Sequence, residues 1–102
     1  MTGAERWLRE EVSTAPEGLM KEMIQALPQS DGPVPDALAE GAITLYERVV
    51  AGDGGREDAL PLLAADALFT HAFQAQAEAD ASGLASLAGR WGARGRLGEV
   101  AR

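Results

Sequence analysis

Residues 62–73 read LLAADALFTHAF, and whether this run is packed core or a chemical site decides how the whole chain is read. It holds the chain's single histidine, His71, and an aspartate, Asp66, among apolar neighbours. At about 100° per residue, Leu60, Ala64, Leu68, His71 and Ala75 fall on one side of a helix. Leu62, Phe69 and Phe73 fall almost opposite. Two apolar faces need two partners. Asp66, Thr70 and Gln74 run between them at four-residue spacing, so each can bond along the helix or to a neighbour. Asp66 and His71 lie about 140° apart and do not converge on one ligand. A metal site would need further donors. The run therefore reads as core, shared between this chain and a second surface, within a helix from about 57 to 80.

Working outward, every other periodic segment is also helical. Thr2 and Glu5 have capping-box spacing before a first helix that ends near Val12, with Trp7, Leu8 and Val12 inward. Thr14 to Glu17 repeats that spacing, with Pro16 in the first turn of a second helix carrying Leu19, Met20, Met23, Ile24 and Leu27. Pro28 stops it, and PQSDGPVPD (28–36) is the main linker. Leu38, Ala42, Leu45, Tyr46 and Val49 mark a third helix, which Gly52 is expected to end in a left-handed cap. GDGGRED (52–58) reads as a turn with acidic first-turn residues, since it lacks the alternating ligands of a calcium loop. Leu84, Leu87, Ala88 and Trp91 form a fifth amphipathic helix after a Ser82 cap. Gly89, Gly92, Gly95 and Gly98 then recur every third residue in a Gly/Arg-rich segment from about 89. The expectation is an all-α bundle of four to five helices in a single domain over residues 1–102.

Residues 57–73, EDALPLLAADALFTHAF, resemble the segment of trans-isoprenyl diphosphate synthases that typically runs GEALAVLAGDALLTLAF. Asp66, Ala67, Leu68, Thr70, Ala72 and Phe73 match in register. Residues 74–99, QAQAEADASGLASLAGRWGARGRLGE, resemble the family's next stretch, a short turn before a helix that ends in a phrase like GARGLVGGQ. Under half the chain is covered. The resemblance implies a helix-packing role, including packing between subunits. It does not bring the family's chemistry, which uses magnesium held by two DDxxD-type motifs together with Lys and Arg clamps. The nearest approximations are Glu57-Asp58 and the separated Asp31 and Asp36, and the sole lysine is Lys21.

Composition narrows the function classes. With no cysteine there is no disulfide framework, thiolate nucleophile or cysteine metal site. No run approaches the roughly 18 apolar residues of a membrane span, and the first residues have no apolar signal core, so a cytoplasmic chain without membrane contact is expected. A net charge of −7 works against general binding to nucleic acid. The charge is uneven: residues 1–80 hold five basic and fifteen acidic side chains, whereas Arg90, Arg94, Arg96 and Arg102 follow against Glu99. Those arginines are expected to pair with carboxylates of this chain or a second one.

The leading expectation is a noncatalytic association module, either a homodimer or a small subunit of a larger protein partner, with no cofactor, metal or catalytic residue. Its interface would use Leu62, Leu68, Phe69, Phe73, Leu84, Leu87 and Trp91. Two other classes stand beside it. One is a small-ligand-binding or enzyme-like domain related to isoprenoid synthases, with Asp66, Thr70 and His71 lining a polar pocket. The other is a nucleic-acid accessory protein using Arg90, Arg94 and Arg96.

Overall fold

The structure, a computed structural model, describes residues 1–94, with the backbone alone for Ala93 and Arg94. Arg96, Arg102 and the glycines at 95 and 98 of the Gly/Arg-rich segment lie outside the described residues. Five α-helices follow one another: α1 (Gly3–Glu11), α2 (Glu17–Ala26), α3 (Val34–Ala51), α4 (Ala59–Asp80) and α5 (Leu84–Arg94). Single 3₁₀ turns at Arg56–Asp58 and Ala81–Gly83 lead into α4 and α5. The fold is a small all-α bundle, and among the described residues there is no strand. No described helix is long and apolar enough to cross a membrane.

Local chemistry explains most boundaries. Thr2 caps α1 by accepting from the Glu5 N–H at 3.2 Å. Glu5 does not reach back to complete the box; its carboxylate takes the Arg9 guanidinium one turn on, at 3.0 Å. The α2 start differs from expectation, because Pro16 and not Thr14 is the capping residue and no side chain caps the turn. Pro16, with its fixed φ of −56°, sets the entry by backbone geometry alone. The left-handed residue after α3 is Gly54, φ +74°, and not Gly52, which is extended at φ −82°. The chain leaves α3 straight and turns two residues later, where the Gly54 N–H donates to Asp58 at 3.1 Å.

The centre of the molecule is the α3–α4 pair. Pro61, Ala64, Ala65, Leu68, Ala72 and Ala75 form one buried stripe along α4. Opposite it α3 buries Leu38, Ala42 and Leu45, while Leu8 of α1 and Met23 of α2 close the core from the other side. Small side chains let the axes come close. At Gly41 an added Cβ would stand 3.2 Å from Leu68 and 3.3 Å from Leu27, so a side chain there would press on both leucines.

Candidate functional site

The two faces of α4 have different fates. The Ala64/Leu68/Ala75 face is internal, and His71 at its edge tilts against the Trp7 ring of α1, centroids 5.9 Å apart. The Leu62/Phe69/Phe73 face is only partly covered. Phe69 is half-buried against Tyr46 of α3, ring centroids 5.6 Å apart, whereas Leu62 stays 40% and Phe73 37% exposed. Phe69 and Phe73 open into an apolar groove of about 220 Å³, walled by Ala39 and Ala72 on the bundle side and by Leu87 and Trp91 of α5.

This arrangement divides the residues expected at an interface. Leu68 and Leu87 are 0% and 1% exposed, so both belong to the chain's own core, and Leu87 meets the surface only as a wall of the groove. Trp91 is buried and Leu84 half-buried. The surface left for a partner is Leu62, Phe69 and Phe73 with the outer side of α5. Leu60, Leu63 and Val50 are also exposed where α3 leads into α4, beside the exposed charges of Asp53, Arg56 and Glu57. Periodicity placed Leu60 on the Leu68 side of the helix and assigned Leu63 to neither face; it carried no signal that both would be left exposed while Pro61 between them is buried.

Asp66, Thr70 and His71 are not brought together. The Asp66 carboxylate accepts from the Tyr46 hydroxyl on α3, while His71 lies on the α1 side, its Nδ1 2.9 Å from Gln74 Oε1. Thr70 donates to the Asp66 backbone carbonyl at 3.0 Å, a bond within the helix. The Tyr46–Asp66 bond has an electrostatic signature. The carboxylate acceptor first, then burial and the neighbouring negative charge, push the phenol up from 10.0 to about 12. Among the described residues no three His, Asp or Glu side chains are grouped to hold a metal ion.

One polar cluster among the described residues is one that local pattern did not single out as a site. Asp36, in the first turn of α3, accepts from Trp91 Nε1 at 2.7 Å and from Arg90 Nη2 and Nε at 2.7 and 3.1 Å. Arg90 also donates to Ser86 at 2.7 Å, one turn back on α5. Burial alone would raise the Asp36 pKa, but the Trp91 and Arg90 bonds and the Arg90 charge outweigh it and hold the carboxyl below 3.8. These bonds clamp α5 to α3 beside the groove. A separate open cleft of about 460 Å³ between α1 and α2 has Arg9 and Lys21 at its rim and Met20 and Ile24 in its floor.

No family model, curated protein or solved structure matches the chain, which leaves its own surface as the guide to function.

Proposed function

We propose that the chain is an association module whose function is to pair with a second copy of itself through the outer faces of α4 and α5. The observation that carries this reading is the apolar groove between Phe69, Phe73, Leu87 and Trp91, continued along α4 by exposed Leu62. Large apolar groups gathered in one concave strip, rather than scattered singly, are what an interaction surface requires. Scale suits a reversible pairing with a second copy. α4 is about 33 Å long and the shorter α5 about 16 Å, so the strip is two helices wide along only half of α4 and offers roughly 500 Å² per partner, the size of a weak, reversible interface. A twofold axis across it sets Phe73 and Leu62 of each chain against the same strip of the other. The likeness of residues 57–73 to a helix-packing segment of trans-isoprenyl diphosphate synthases supports the same use.

Phe73→Glu tests the reading, since it places a charge in the strip without touching Leu68 or Ala72 in the core. The variant should keep the helical circular dichroism of the parent and lose dimer by about tenfold or more in concentration, as expected for a charge stranded in an apolar seam. An unchanged dimer would sink this surface.

A further inference from the structure

Between Ala59 and Arg94 the backbone leaves helical geometry at Asp80, which is extended, φ −167° and ψ 98°. Ala81 (φ −61°, ψ −27°) and Leu84 (φ −60°, ψ −44°), at the two ends of the short 3₁₀ turn, are already right-handed helical. Side chains hold the turn. The Asp80 carboxylate accepts from the Ser82 N–H at 3.1 Å and its hydroxyl at 2.6 Å, so Asp80 supplies the cap that the sequence assigned to Ser82. Gln76 Nε2 donates to the Asp80 carbonyl at 2.8 Å. Gly83 comes so near Gln76 that a Cβ there would stand 2.5 Å from its Nε2.

α5 packs on both α3 and α4 of its own chain. Leu87 and Trp91 enter the core, and the Asp36 clamp joins residues 54 and 55 positions apart in sequence. None of these attachments requires both partners to be on one chain.

We infer that α5 is an exchangeable arm, hinged at Asp80, and that a second copy of this chain seats its α5 on the α3–α4 bed with its Arg90 and Trp91 on Asp36. This deepens the self-association reading and rests on it. Rotation of Asp80 into helical geometry joins α4 and α5 into one helix of about 54 Å, carrying α5 away from its own bed. Backbone bonds then replace the side-chain bonds of the turn; Ala77, Glu78, Ala79 and Ala81 favour the joined helix, against Asp80 and Gly83. Whatever α5 gives up on its own bed it recovers on the bed of the second chain, which is why exchange of an identical element is a low-cost route to a dimer.

Reversing the clamp separates exchange from face-to-face pairing. Asp36→Arg sets two guanidinium groups against each other, and Arg90→Glu sets two carboxylates against each other, so each variant alone carries like charges at the clamp, exchanged or not. Only an exchanged heterodimer of the two variants gives opposite charges at both clamps. Native mass spectrometry of an equimolar mixture should therefore show heterodimer enriched over each homodimer by about tenfold or more beyond the statistical share. A statistical mixture, or no heterodimer, overturns exchange. Sedimentation of the parent reads self-association independently: a parent dimer with a statistical mixture refutes exchange and leaves pairing standing, whereas a parent monomer refutes pairing.

If either clamp variant fails to fold even when mixed, Asp80→Ala decides. Removing the Ser82 cap and placing a strong helix former at the hinge should shift the monomer–dimer midpoint to about fivefold lower protein concentration or below. An unchanged midpoint, or α5 released with no increase in dimer, overturns the inference.

Discussion

Replacing Asp36 with Ala should free α5 without unfolding the rest of the bundle. The carboxylate is the common acceptor for Trp91 Nε1 and two nitrogens of Arg90. A hydrogen bond to a charged acceptor is worth about 1.5–3 kcal/mol when sheltered, which suits the partly buried indole bond. Arg90 is half exposed, so its ion pair contributes only about 0.5 kcal/mol. Together the clamp contributes about 2 kcal/mol, concentrated on the docking of α5 because Leu68, Leu38 and the α1–α2 packing are untouched. Hydrogen exchange should show protection of α5 amides falling by about thirtyfold in the variant, with α3 and α4 amides changed far less. The pH dependence has a fixed sign. The folded pKa of Asp36 lies below 3.8, so the stabilisation is fully present above the unfolded value and is lost as pH falls through the folded one. Protection of α5 relative to α4 should hold from about pH 6 to about pH 4 and fall below that in the parent, and be flat throughout in the variant. Equal α5 protection in parent and variant at about pH 6 would refute the clamp.

Three further outcomes follow from the same geometry. Tyr46 is the chain's single tyrosine, so ultraviolet titration of the phenolate reads it directly; its midpoint should stand near 12 and fall toward 10.0 in Asp66→Asn. Its contribution to stability is present below the unfolded value and lost as pH rises from 10.0 toward 12, worth about 1 kcal/mol after solvent screening; a midpoint near 10.0 in the folded parent contradicts the bond. Gly41→Ala should cost a net ~1 kcal/mol in urea unfolding, because its methyl crowds Leu68 at 3.2 Å and Leu27 at 3.3 Å by more than the helix propensity of alanine returns, and a stabilised variant would mean that these two leucine side chains yield.

The helical bundle was legible because its causes are local. Thr2 caps its own turn, Pro28 follows the end of α2, and Leu68, Ala72 and Ala75 recur at helical spacing. The same logic failed where two local signals compete. Thr14 has the capping side chain, yet Pro16 fixes the φ that starts α2; Gly52 is where periodicity ends, yet Gly54 takes the left-handed turn. The break before α5 was expected at Ser82, but both residues can cap, and it is the Asp80 carboxylate that takes the Ser82 N–H and hydroxyl. At the candidate site, the expected pairing of an arginine with a carboxylate is met by Arg90, but its partner Asp36 lies 54 residues away and nothing in a local window connects them. Likewise the spacing gave α4 two apolar faces without saying which neighbours cover each. Burial within the bundle decides that Leu68 and Leu87 are internal and that Leu62 and Phe73 are left outward.

Self-association is tested most directly by the mass of the unmodified chain in solution. Sedimentation equilibrium at roughly tens of micromolar, a range in which an apolar seam of this size holds dimers, should return about twice 10.7 kDa with helical circular dichroism. A folded species of 10.7 kDa throughout that range would contradict the account.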